Sequence, residues 1–311
     1  MAAAILATSL LFSAAAGAEP PGRMTPFQDP GGCTLERVTD ASPGELHFQF
    51  EGLSHDGRAL FVAWENGKER GAYILDIATG HRRDIPVLNN AGVFSPDDSH
   101  VLVANSVADG TTDLFEQELA TGVMSPVAPG PKHEFLATYS PDGHSILFNS
   151  YRTGRSDIYL VPRGGGEPLR LTESEAYEAH AAFSPDMKTI LFHRDLGDGN
   201  YDIFRMDFAT RAVTPFIARP GEQSYPSWSP DGRLVAFASN EGAVPGKMDI
   251  YVADMSGAIV SRVTKSPGYN AYPSWSRDGR WLYFNSERPA GTRNVFRAAI
   301  DRSGRCAPAP R

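Results

Sequence analysis

The chain has 311 residues, 41% hydrophobic and 21% charged, with a formal net charge of −8. That apolar share can build a sizeable core, and the acidic balance excludes nucleic acid as the expected partner, because phosphate binding needs a basic face. With 30 glycines, 24 prolines and only two cysteines, it is no disulfide-rich miniprotein but a chain that turns back on itself often.

Residues 1–18 carry no charged side chain and end in Ala16-Gly17-Ala18, before the polar Glu19-Pro20-Pro21-Gly22. The pattern predicts a secretory signal peptide cleaved after Ala18, too short in its apolar stretch to span a membrane. The mature chain is expected to be periplasmic or secreted, with no membrane span. Residues 19–32, with Pro20, Pro21, Pro26, Pro30 and Gly31-Gly32, read as an extended leader.

From there one unit repeats six times. Its signature is Ser54-His55-Asp56-Gly57, Ser95-Pro96-Asp97-Asp98, Ser140-Pro141-Asp142-Gly143, Ser184-Pro185-Asp186-Met187, Ser229-Pro230-Asp231-Gly232 and Ser276-Arg277-Asp278-Gly279. The serines are 41, 45, 44, 45 and 47 residues apart. An aromatic residue or Leu precedes each Ser (Leu53, Phe94, Tyr139, Phe183, Trp228, Trp275), and an alternating apolar run such as Leu234-Val235-Ala236-Phe237 follows. After a polar loop, Asp157-Ile158-Tyr159, Asp202-Ile203-Phe204, Asp249-Ile250-Tyr251 and Asn294-Val295-Phe296 open another strand. Pro presets the turn, Asp bonds nearby backbone and Gly accepts positive φ. Alternating β-branched and aromatic runs are half-buried strands, and four of them per repeat make a propeller blade.

The sixth repeat runs out after its third strand. Leu35-Glu36-Arg37-Val38-Thr39 has the pattern of the missing outer strand, seen elsewhere as Ser261-Arg262-Val263-Thr264. The expected fold is all-β: one six-bladed β-propeller over residues 33–305, closed by an N-terminal outer strand that removes two sheet edges, with a tail at 306–311. Closure makes neighbours of Cys33 and Cys306, and an exported protein permits their disulfide. A monomer is expected.

The linked elements S-P-D-G, the aromatic before it and D-I-Y on the third strand resemble the TolB-type, WD40-like (PD-repeat) β-propeller family. The likeness covers residues 33–305 and is sharpest in Tyr225–Gly232 and Tyr272–Gly279. It implies a periplasmic protein that binds other proteins, as TolB does in the Tol–Pal envelope system. Only 14 residues separate Ala18 from Cys33, so the separate N-terminal domain of TolB is not expected.

The turn residues recur in every copy and read as structural; so do Asp113, Asp157, Asp202 and Asp249, expected to bond backbone before the third strand. Residues that break the repeat are better site candidates. Four positions before the Ser stand Phe50, Ala91, Leu136, His180, Tyr225 and Tyr272; six before, Phe48, Asn89, Glu134, Glu178, Gln223 and Asn270; seven before, His47, Leu88, His133, Tyr177, Glu222 and Tyr269. Strand alternation puts Glu178 and His180 on one face. The expected binding residues are His47, His133, Glu134, Glu178, His180, Tyr225 and Tyr272 at the channel mouth. Arg152, Arg194 and Arg288 join them on the funnel formed by loops between second and third strands, facing an envelope protein or peptide.

The alternative is a propeller enzyme or small-ligand binder, lyase- or lactonase-like, with a metal or acid–base cluster of Glu134, Glu178 and His180. No H-x-x-x-H, H-E-x-x-H or C-x-x-C spacing supports a metal, and no cofactor is expected. The absence of a G-x-S-x-G elbow argues against a prolyl-oligopeptidase-type hydrolase.

Overall fold

The computed structural model describes residues 26–29, 32–86, 92–197, 200–265, 268–288 and 291–308. The expected signal peptide, Leu88, Asn89, Ala91 and the 309–311 end of the tail lie outside them. All regular structure among the described residues is strand.

The N-terminal strands are β1 (Pro26–Gln28) and β2 (Thr34–Arg37). Blade one is β3 (Leu46–Phe48), β4 (Ala59–Asn66), β5 (Glu69–Asp76) and β6 (Arg82–Ile85). Blade two is β7 (Gly92–Phe94), β8 (His100–Ser106), β9 (Thr112–Glu118) and β10 (Met124–Pro126). Blade three is β11 (Glu134–Tyr139), β12 (Ser145–Ser150), β13 (Asp157–Pro162) and β14 (Leu169–Arg170). Blade four is β15 (Glu178–Phe183), β16 (Thr189–Asp195), β17 (Tyr201–Asp207) and β18 (Val213–Ile217). Blade five is β19 (Gln223–Trp228), β20 (Leu234–Ser239), β21 (Asp249–Asp254) and β22 (Ile259–Arg262). Blade six contains β23 (Asn270–Trp275), β24 (Trp281–Ser286) and β25 (Asn294–Ala299), completed by β2 and β1 in the order β1-β2-β25-β24-β23.

Each turn between the first two strands of a blade is held by the same small network. The Ser hydroxyl donates to the Asp carboxylate at 2.6–2.7 Å in all six copies. The same oxygen accepts the amide five residues on, from Ala59, His100, Ser145, Thr189, Leu234 and Trp281. Glycines 57, 143, 232 and 279 take positive φ there, and where glycine is missing Asp98 and Met187 adopt it instead (55° and 60°), at a cost that glycine avoids. Asp98 turns that position to use, accepting the amides of His55 and Asp56 from the neighbouring blade.

The hydrophobic core lies between blades. Six buried clusters fill the six junctions between successive blades, Phe50 of blade one also reaching the cluster between blades two and three. Phe61, Phe148, Phe192, Phe237 and Phe284 are wholly buried, one from each of five blades.

Ring closure reproduces in blade six a lock that blade five makes within one repeat, and of which blade three has the amide half, Ile158 N donating to Thr172 at 3.0 Å. In blade five Thr264 donates to Asp249 at 2.8 Å and accepts the Ile250 amide at 2.9 Å. In blade six Thr39, from the opposite end of the chain, donates to Asn294 at 3.1 Å and accepts the Val295 amide at 2.9 Å. Of the aspartates that open third strands, Asp113 does bond backbone, at Gly130, whereas Asp157 and Asp249 bond side chains instead of the backbone expected of them. Asp157 and Asp249 anchor Arg170 and Arg262 of the adjacent outer strand at 2.8 and 2.5 Å. Pro26–Gln28, expected within the extended leader, pairs with β2 as a fifth strand, so the sheet begins before Cys33.

Cys33 and Cys306 form a disulfide, with Cα atoms 5.3 Å apart across 273 residues of sequence. A loop of that length corresponds to stabilisation of roughly 5 kcal/mol in the chain-entropy account. Replacing both cysteines by Ala is expected to lower the denaturation midpoint clearly, with a reductant lowering the native protein to the same value and leaving the variant unchanged. Equal midpoints for both proteins, with and without reductant, would count against a stabilising bond.

Candidate functional site

The inner strands do not alternate cleanly. In blades three to six the register slips where two residues oppose one, between Phe135 and Thr138, Ala179 and Ala182, Ser224 and Ser227, and Ala271 and Ser274. Each bulge puts the residue four before the Ser in the left-handed region: Leu136, His180, Tyr225 and Tyr272 have φ of 53–58°. Glu178 and His180 are thus separated by a bulge, and their side chains enter different surroundings.

Glu178 receives Arg194 Nε at 2.7 Å, and Glu134 receives Arg152 Nη2 at 2.6 Å and the Ser150 hydroxyl at 2.9 Å. Both carboxylates are fully buried. Burial pushes the Glu134 carboxyl up, against the pull of Arg152. The arginines lie over rings of their own blades, Arg152 on Tyr159 at 4.9 Å and Arg194 on Phe204 at 4.5 Å. Arg288 reaches Asp29 at 3.2 Å and Asn270 at 3.0 Å. The three expected funnel arginines are therefore tied into the blades. His47 is buried against Glu45 at 3.0 Å, and burial holds its pKa below the ordinary histidine value. His133 is exposed, 3.4 Å from the Thr112 hydroxyl. Among the described residues no three His, Cys, Asp or Glu side chains come together as metal ligands, so Glu134, Glu178 and His180 do not form the alternative metal set.

The bulged residues meet on the propeller axis. Phe50 of blade one contacts His180 of blade four, ring centroids 5.0 Å apart, although these blades face each other across the ring. His180 also packs on Tyr225 at 4.7 Å, Tyr225 on Tyr272 at 4.1 Å, and Tyr272 on Phe50 at 6.1 Å. These rings plug the channel. Neither ring nitrogen of His180 has a hydrogen-bond partner; burial, with His193 beside it, holds its pKa well below the ordinary value, so it sits there neutral. Burial pushes His193 down to about 3.

On the turn side of the plug lies a cavity of about 480 Å³, opposite to the expected funnel. Three rings of residues line it. The deepest is small or polar: Val93, Thr138, Ala182, Ser227 and Ser274. Next come the residues before each Ser: Leu53, Phe94, Tyr139, Phe183, Trp228 and Trp275. The rim holds Pro96, Pro141, Pro185 and Pro230, with His55 and Arg277 where blades one and six lack the proline. Hydrogen bonds between blades stiffen the wall: Trp228 Nε1 donates to the Ala182 carbonyl, Trp275 Nε1 to that of Ser227, and Thr138 to that of Ala181.

One charged residue breaks this pattern. Blade one has a longer bulge, with Gln49–Gly52 between the paired residues Phe48 and Leu53. It carries Glu51 in the left-handed region (φ 46°), lining the cavity next to the plug. Three before the Ser, the other copies have Gly92, Ala137, Ala181, Pro226 and Pro273. A lone charge at that position is the sequence signal for it, hidden because regular alternation selects positions four and six. Glu51 is half-buried, and burial alone pushes its carboxyl up to about 7.

The sequence profile of the TolB beta propeller domain family matches residues 51–245 and 199–307. No curated protein matches the chain. TolB from Acinetobacter baumannii superposes with a TM-score of 0.65 at 22% identity, over 81% of this chain and 65% of that one, so this chain spans just under two thirds of its length. A candidate TolB of Agrobacterium tumefaciens gives 0.62 at 27% identity, over 75% and 84%. An oligogalacturonate lyase solved with manganese gives 0.60 at 15% identity, over 90% and 96%, a likeness of fold alone.

Two outcomes follow from the ionised groups. A carboxyl whose pKa is raised on folding binds its proton more tightly in the native state, so stability falls as pH rises from the ordinary glutamate range to about 7. Glu51→Gln should therefore raise the denaturation midpoint at pH 8, by the equivalent of at most about 3 kcal/mol, solvent screening of the half-buried group reducing it, and leave it nearly unchanged at pH 4. Arg152→Ala strands a buried carboxylate and should destabilise by about 3 kcal/mol, with Glu134→Gln in that background recovering part of the loss. A midpoint unmoved by Arg152→Ala in thermal denaturation would show that the pair does not support the fold.

Proposed function

This chain belongs to the TolB β-propeller family, and from that premise we propose that it is an exported binding module of the cell envelope, presenting a rigid axial cavity to a protein or peptide partner. The observation that supports the reading is the cavity itself. Its wall takes residues from all six blades, is braced by bonds between blades and has a closed floor. A preformed concave site of this kind needs little ordering when a partner binds. Aromatic residues supply buried area, and the proline rim contributes no flexible side chains to be frozen. The signal-peptide pattern supports export, and among the described residues no helix is long and apolar enough to cross a membrane.

The enzymatic alternative draws no support from the groups that suggested it. Glu134 and Glu178 are held by arginines, and His180 is neutral, buried and without a polar partner for proton transfer.

Site-directed photocrosslinking tests the binding reading. Benzoyl-phenylalanine at Pro185 or at Arg277, both exposed at the rim, is expected to capture the same polypeptide in the cell envelope. The same group at Arg155, exposed on the opposite face, should not. Capture from position 155 alone, or from none of the three, would overturn the assignment of the cavity as the partner site.

A further inference from the structure

Glu51 is an unpaired acid at the floor of the well, beside a small or polar deepest ring and below an aromatic one. It has no hydrogen bond or ion pair among the described residues, and burial is the one influence on its titration. Of the cavity-lining residues only Glu51, His55, Tyr139 and Arg277 titrate or carry charge. His55 lies 3.5 Å from Asp98, and Tyr139 donates its hydroxyl to Glu116 at 2.6 Å. Arg277 stands exposed on the rim, where its charge is screened by solvent. None of these neutralises the carboxylate at the floor.

We infer that the cavity selects a lysine or arginine side chain of an extended peptide, whose cationic head pairs with Glu51 while its methylene stem lies along the aromatic ring. This rests on the partner-binding reading above and names the chemistry that the partner presents. Glu51 stands four residues before the rim residue His55, a depth on the order of 10 Å that suits a long side chain and leaves a short one out of reach. Lys and Arg combine an apolar stem with a charged tip, the sequence of environments met on entering the well. Tryptophan and tyrosine walls also favour a cation over an anion or a neutral polar group. A partly desolvated carboxylate gains more from an opposite charge than a surface one does. Arg277 adds direction, since it repels a cation held at the rim and favours an acidic flank there.

The probe is the peptide acetyl-Ala-Gly-Lys-Gly-Ala-amide, compared by calorimetry with its norleucine and glutamate counterparts on the full mature protein. At pH 8 the lysine peptide should bind at least tenfold more tightly than the norleucine peptide, and the glutamate peptide more weakly than either. Binding should strengthen from pH 5 to pH 8 and release protons at pH 6.5 but not at pH 9, as seen in buffers of different ionisation enthalpy. Glu51→Gln should remove both the tenfold preference and the proton release while keeping the norleucine affinity. Equal lysine and norleucine affinities, or a preference that survives Glu51→Gln, would overturn the role of Glu51 and leave the crosslinking test of the cavity unaffected. Absence of binding by all three peptides would overturn the inference as well, whatever polypeptide the crosslinks find.

Discussion

Every blade here relies on its neighbours, and the ring holds because one strand from the start of the chain completes the last blade. β2 pairs with β25 through Leu35–Ala298, Glu36–Arg297 and Arg37–Phe296. Without that pairing, blade six would present an open edge, and the junction that contains Leu35, Phe284 and Phe296 would lose one of its walls. The closure is reinforced by unrelated means at one place: the Glu36–Arg297 ion pair at 2.7 Å, the Thr39 lock and the Cys33–Cys306 bond. A repeat protein needs its ends treated specially, and here both ends are joined to each other.

Much of this architecture is legible in the sequence because its cause is local and recurs. The Ser–Asp pair, the glycine at positive φ and the apolar alternation of the second and third strands answer to bonds within about ten residues. The closing strand was legible for a related reason, since Leu35–Thr39 repeats a pattern whose partner elsewhere sits nearby. The site was far less legible. Inner strands bulge at Leu136, His180, Tyr225 and Tyr272, and a period of two cannot survive a residue in the left-handed region. His180 consequently went to the axis and Glu178 to Arg194, although alternation places them together. The longer bulge of blade one then put Glu51, three before its Ser, into the cavity. Only long-range packing around the axis decides such bulges, and no single repeat records it.

The charged residues teach a related point. Arg152, Arg194 and Arg288 each pair with a buried acid of their own sheet, so a ring of charges that reads as a recognition surface serves the interior instead. Desolvating an acid without such a partner is costly, which is why the pairs recur from blade to blade. Glu51 has no such arginine, and its departure from this local habit marks it out more clearly than its charge alone.

The aromatic plug has one more consequence. Because Phe50, His180, Tyr225 and Tyr272 meet across the axis, their rings stand between the two faces of the ring, and among the described residues the cavity is a well that opens on the turn side. Whatever enters must leave by the way it came. A polypeptide can lower a side chain, an end or a tight bend into it but cannot thread through. Occupants are then mutually exclusive, and a tight one with a slow exit holds the site against all others for as long as it stays.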